Sequence, residues 1–228
     1  MPRIAVGGGT ATRVLAFLLL GVLVGALPPA PVDAQWFGFE IGPLWSDIDW
    51  SKAPSPGTTV VDDRTALYGG LTGRFPVANW GSLATGVSLL PKGGEYDGVV
   101  FRASLLEVPA VFALQTGTST ALFLEAGVAL GVRVTCSRSL RVSTGTHTNS
   151  CDSETIVEPP PNDDVTLRQI RRWEANWRVA LGGRAPVGSG LVVLGIRAER
   201  AITDLYPENS QSMRSRGLAL VLGYELSR

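Results

Sequence analysis

The chain has 228 residues, 45% of them hydrophobic, and its Lys+Arg 20 balance its Asp+Glu 20. That balance excludes a basic surface for nucleic acid, and no acidic tail points to a disordered partner. Beyond the first 34 residues no apolar run approaches the length of a membrane-spanning helix, and helical periodicity is scarce. The apolar residues are therefore expected to be used in β-structure.

Taken in chain order, the N-terminus reads as an address. Arg3 and Arg13 precede an apolar run from Val14 to Leu27, followed by Pro28, Pro29, Pro31 and the small-residue motif Val32-Asp33-Ala34. A basic start, an apolar middle and a small-residue end mark a cleavable signal peptide over 1–34. The run is too short to cross about 30 Å of hydrocarbon as a helix, and prolines end it. No Cys directly follows the cleavage motif, so a lipid-anchored form is not indicated. Without Arg3, Arg13 and Asp33, the mature domain, 35–228, carries 18 positive and 19 negative groups instead of 20 and 20.

Eight strands are predicted, near 36–46, 64–75, 80–90, 100–114, 120–135, 173–185, 191–202 and 214–227. The clearest is Thr120 to Thr135. Leu122, Leu124, Ala126, Val128, Leu130, Val132 and Val134 share one face; Phe123, Glu125, Gly127, Ala129, Gly131 and Arg133 share the other. Period 2 means a strand, and a greasy stripe opposite small residues and full charges suits lipid on one side and a narrow polar lumen on the other. The same two-faced pattern recurs: Phe37, Phe39 and Ile41 oppose Gly38, Glu40 and Gly42, and Leu67, Leu71 and Phe75 oppose Tyr68, Gly70, Thr72 and Arg74. Trp173, Ala175, Trp177, Val179 and Leu181 oppose Glu174, Asn176, Arg178, Ala180, Gly182 and Arg184. Later, Leu218, Leu220, Leu222, Tyr224 and Leu226 oppose Gly217, Ala219, Val221, Gly223 and Glu225. Links at 76–79, 115–119 and 186–190 are short and turn-rich; those at 48–63, 91–99, 136–172 and 203–213 are longer and polar. The reading is an all-β, eight-stranded antiparallel transmembrane barrel, with short turns and both mature termini in the periplasm and long loops outside.

Alternation alone does not say which face is inside, so a soluble lipocalin-like barrel around a hydrophobic ligand is the rival. Against it, the polar face carries Gly, Ala, Arg and Glu where a solvated sheet carries Lys, Thr and Ser, and Lys52 and Lys92, the two lysines, both fall in predicted loops. Aromatics also fall at strand ends. Trp36, Phe37, Phe75, Trp80, Phe112 and Tyr224 gather at the turn end; Trp45, Trp50, Phe101, Trp173 and Trp177 gather at the loop end, as two interfacial belts. If the polar face is the lumen, Glu40, Glu107, Glu125, Glu174, Glu199 and Glu225 project inward with Arg74, Arg133, Arg178, Arg184 and Arg197. They are expected to form bidentate pairs, because an unpaired buried charge is costly. An eight-stranded barrel is just wide enough for its side chains to fill, so the lumen is expected to be plugged, with a narrow or gated channel as the alternative. Pro109 predicts a bulge after Glu107.

In the third long loop, Cys136 and Cys151 are expected to form a disulfide in an exported chain. With the lone His147 they supply too few ligands for a metal, and no cofactor is indicated. His147, with Ser143, Ser150 and Asp152 nearby, is the residue a lipid-hydrolase reading would use, but a mid-loop histidine lacks the rigid orientation catalysis needs. The segment Glu158 to Asp164, stiff and then acidic, reads as a solvated loop before it reads as a cation or partner site. Binding of an external ligand or protein is expected through the loops.

From about Gly38 to Leu226 the chain resembles the small outer-membrane β-barrel families of Gram-negative bacteria, in particular the PorT-like barrel domain. The residues that carry the resemblance are Gly86-Val87-Ser88-Leu89-Leu90-Pro91-Lys92-Gly93-Gly94, then Leu105-Leu106-Glu107-Val108-Pro109, then Glu125-Ala126-Gly127. It implies a fold, an outer-membrane location amid lipid and dependence on the barrel-insertion machinery, but no shared activity. Many such barrels end on an aromatic; here the last residues are Glu225-Leu226-Ser227-Arg228, and Tyr224 is the nearest aromatic.

Overall fold

The computed structural model describes residues 35–50, 62–78, 80–96, 99–116, 120–142, 145–151, 155–157, 165–167, 170–205 and 213–227. The predicted signal, residues 1–34, lies outside them, as do Lys52, Ser143, Asp152, the 158–164 segment and the side chains of Trp50 and His147.

The strands are β1 (Trp36–Trp50), β2 (Asp62–Ala78), β3 (Gly81–Tyr96), β4 (Val99–Gln115), β5 (Ala121–Val142), β6 (Gly145–Ser150), β7 (Thr155–Val157), β8 (Val165–Leu167), β9 (Trp173–Val187), β10 (Gly190–Ala201) and β11 (Met213–Ser227). Hydrogen-bonded neighbours run β4-β3-β2-β1-β11-β10-β9-β5, and β4 also pairs with β5. The sheet therefore closes on itself as an eight-stranded antiparallel barrel with no free edge among those strands. The first and last strands meet, with Trp36 opposite Ser227.

The alternating faces sort as the side chains demand. Leu67, Leu71, Leu122, Leu181 and Leu194 are each more than 60% exposed on the outside, while Glu107, Lys92 and Tyr68 inside are at 1% or less. Outward apolar residues exclude the rival in which the greasy faces enclose a ligand. A sheet whose exterior is Leu, Val, Ile and Phe is the surface a barrel presents to lipid. Strands of 12 to 22 residues are longer than the ~9–11 that a bilayer crossing takes.

Several expectations need correction. Most of the predicted 91–99 loop is strand, because β3 and β4 stay paired out to Tyr96 and Val99. Lys92 is therefore a strand residue facing the lumen. The 136–172 loop likewise begins later: β5 runs to Val142 and folds back on β6, with Cys136 inside the strand. Pro109 makes no bulge after Glu107. Its register with Ala129 of β5 is unbroken, the slip lies between Ser104 and Leu105, and Thr85 Oγ1 donates to the Pro109 carbonyl at 2.7 Å. At the turn end, β9 and β10 are joined by Gly188-Ser189, where Gly188 takes φ 61°, the left-handed conformation a two-residue hairpin requires.

Candidate functional site

Because each strand sends alternate residues inward, one barrel cross-section collects charges far apart in sequence. Near the turns, Arg74 of β2 and Arg184 of β9 face Glu125 of β5 and Glu225 of β11. All four contacts form: Arg74 to Glu125 at 2.6 Å and Glu225 at 3.4 Å, Arg184 to Glu125 at 3.4 Å and Glu225 at 3.7 Å. Ser82 Oγ accepts from Arg74, and Gln115 Oε1 from Arg184. Arg184 also lies 4.7 Å over the Phe123 ring. That ring fits because Gly182 is there: a Cβ would sit 2.6 Å from Phe123 Cζ.

Arg197 pairs with Glu40 and lies 5.1 Å over the ring of Tyr68, which packs with Leu44, Leu90, Ala219 and Val221. Toward the loops the pattern becomes a chain. Lys92 Nζ contacts Glu174 at 2.7 Å and Glu199 at 3.5 Å, and Arg178 contacts Glu199 at 3.5 Å and Glu107 at 3.3 Å. Ser215 donates to Glu174 at 2.8 Å. Arg74, Arg184, Lys92 and Arg178 thus each bridge two carboxylates instead of forming the bidentate forks expected, while Arg197 keeps to Glu40. Lys92 was not foreseen: Pro91 before it and Gly93-Gly94 after it read as a turn. Lys92 thus joins Arg74, Arg133, Arg178, Arg184 and Arg197 to set six buried cations against the six glutamates expected in the lumen, and Asp47 and Arg138 are buried besides.

The sixth cation, Arg133, reaches upward. Its Nη1 donates to the carbonyls of Ile170 at 3.0 Å and Arg171 at 3.1 Å. These belong to an apolar cap over the loop-end mouth, made of Ile48, Phe101, Ala103, Leu105, Cys151, Ile170 and Leu205 with Cys136 against it. Phe101, assigned above to an aromatic belt, is buried in this cap. Cys136 and Cys151 form a disulfide with Cα atoms 5.6 Å apart. Backbone bonds stitch the cap: Ile170 N–H donates to Cys151 O and Arg171 N–H to Leu205 O. In the turn-end half the lumen keeps a cavity of about 40 Å³, room for about three waters at ~10–15 Å³ each.

The remaining aromatics sit outside. Trp80 packs edge-to-face on Phe112 and Phe37 on Phe75, with Trp36 half-buried near them. Tyr224 donates its hydroxyl to Val187 O at 2.9 Å, across the β9–β10 turn. At the other end Trp45, Trp173 and Trp177 are exposed, and Arg171 stacks 4.8 Å over Trp173.

Comparison with solved structures returns small barrels. Ail, the attachment invasion locus protein of Yersinia pestis, is 11% identical, with 85% of this chain and 99% of that chain covered at a TM-score of 0.44. OprG of Pseudomonas aeruginosa is 13% identical, with 86% and 98% covered at 0.46. Neisserial surface protein A is 12% identical, with 84% and 97% covered at 0.44. No protein-family model matches the sequence, that of the PorT-like domain included, and no curated protein matches it.

Proposed function

We propose that this chain is an outer-membrane barrel with a structural or surface-interaction role, closed to diffusing solutes and meeting external ligands or proteins through its loop end. The observation that carries this reading is the filled lumen. Bridged carboxylates and cations occupy the bore, and the apolar cap packs at its loop end. An ion crossing this barrel would have to break buried pairs in a low-dielectric space, where each broken pair leaves an uncompensated charge. In this reading both ends of the mature chain, together at the turn end, lie in the periplasm. The insertion machinery delivers the barrel, lipid surrounds its apolar exterior, and the PorT-like resemblance of the Lys92 and Glu107 segments reflects a shared lumen design.

The test is conductance in planar lipid bilayers. The expected result is no large, regular step; regular steps of fixed size would replace this reading with the channel. Heat-modifiability on a denaturing gel checks the barrel itself: the unboiled band should run apart from the boiled one. His147 has no catalytic part here, so H147A should leave any acyl-hydrolase signal of the purified protein unchanged.

A further inference from the structure

The loop-end rim carries arginines in two different states. Arg200, Arg214 and Arg216 are each matched by an aspartate, Asp49, Asp204 and Asp47 respectively. Arg64 of β2 and Arg102 of β4 have no ion-pair partner among the described residues. Instead they line one groove of about 250 Å³, together with Thr65, Gly94, Glu95, Val100 and Phe101.

The backbone fixes Arg64 at this groove, and the strand register brings Arg102 to it. Arg64 Nη1 donates to the Lys92 carbonyl at 2.7 Å, and Ser46 Oγ accepts from Gly93 N–H at 3.0 Å, locking that stretch of β3. Arg102 stands opposite Gly93 in the β3–β4 register. A Cβ at Gly93 would lie 2.2 Å from the Phe101 carbonyl oxygen and 3.1 Å from Arg64 Cδ, so glycine is what lets β4 approach here, and it leaves Arg64 room beside it. Burial and the repulsion of Arg102 both pull the Arg64 guanidinium below its ordinary range. Two like charges lining one open groove favour an anion that takes hydrogen bonds from both forks.

The height of the groove on the barrel says where that anion sits. The outward apolar residues nearest the loop end on these strands are Leu67 of β2 and Leu106 of β4, a few residues below Arg64 and Arg102. Trp45, exposed on the outside at this level, is paired with Thr65. Interfacial tryptophan marks the headgroup layer. We infer that the groove between β2, β3 and β4 binds a phosphate monoester on a lipid headgroup of the leaflet at the loop end.

The test is native mass spectrometry of the detergent-solubilised full chain titrated with dioleoyl phosphatidic acid or dioleoyl phosphatidylcholine. The wild type should retain phosphatidic acid about tenfold better, and R64Q/R102Q should lose that preference while keeping its heat-modifiable band. If the double variant does not fold, R102Q alone is read, since Arg102 is exposed and holds no described hydrogen bond. E95Q should tighten retention by removing the one described carboxylate from the groove, and R200Q, on the same rim but paired, should change nothing. Equal retention by wild type and R64Q/R102Q overturns the inference, as does an equal loss in R200Q. Displacement of the lipid by millimolar inorganic phosphate would assign the groove to a soluble phosphate instead and overturn the lipid assignment.

Discussion

The two ends of the lumen solve the same problem with different wiring. At the turn end, two arginines and two glutamates make a square in which every cation touches both anions. At the loop end, five groups form an open chain, Glu174–Lys92–Glu199–Arg178–Glu107, in which the terminal glutamates each hold one described ion pair. A square is redundant and a chain is not. Removing one cation from the square leaves both carboxylates paired with the other; removing either cation from the chain strands a buried carboxylate. The difference is covered from above: the chain lies beneath the apolar cap, and the square lies at the end the cap does not reach.

The largest effect should come from breaking the chain. K92M leaves Glu174 buried with only Ser215 to hydrogen-bond it, and should cost about 3–5 kcal/mol, read as a lower urea midpoint of the folded gel band in lipid vesicles. Replacing both cysteines by serine should release up to about 3 kcal/mol of constraint on the unfolded loop, by the chain-entropy account for a loop of this length. Because the hairpin and cap lie above the barrel, the expected readout is faster protease cleavage within 143–172 with the heat-modifiable band retained. Loss of that band would mean the cap holds the barrel together. R184A, taken from the square, should cost only about 1–3 kcal/mol by the same urea assay, since Arg74 still reaches Glu125 and Glu225. If R184A matched K92M, redundancy would not be what separates the two ends. The smallest effect belongs to the rim: R200A breaks an exposed pair with Asp49 and should move stability by less than about 1 kcal/mol, and less still in high salt.

How much of this was legible follows from what period 2 can encode. A strand with one face in lipid and one in the bore writes both faces into sequence, so Glu125 and Arg133 on one side and Leu122 and Leu130 on the other are readable without a structure. Which glutamate meets which arginine is not readable, because the partners lie on different strands and the shear of the closed sheet sets their heights. Lys92 was missed for a local reason. Proline and paired glycines normally punctuate strands, but in β3 they run through it, with Gly93 where a Cβ would strike the Phe101 carbonyl oxygen. Phe101 was misplaced because an aromatic at a strand end reads alike whether it anchors in an interface or plugs a mouth; the cap residues Ile170 and Leu205, which decide the matter, come from distant loops. The bulge assigned to Pro109 sits at Ser104 instead, since the register with β5 passes Pro109 unbroken.

The seam between β1 and β11 has a consequence for assembly. The strand that starts the barrel is hydrogen-bonded to the strand that finishes it, with almost the whole domain threaded between them. Until both are present the sheet has two raw edges, each a row of unmet donors and acceptors that any neighbouring strand can template onto. A chain that lacks either strand is therefore an adhesive ribbon, with both edges open to mispairing until the last strand is in place. Closing the ring is then a long-range event, joining residues about 190 positions apart, such as Trp36 and Ser227, and slow for that reason.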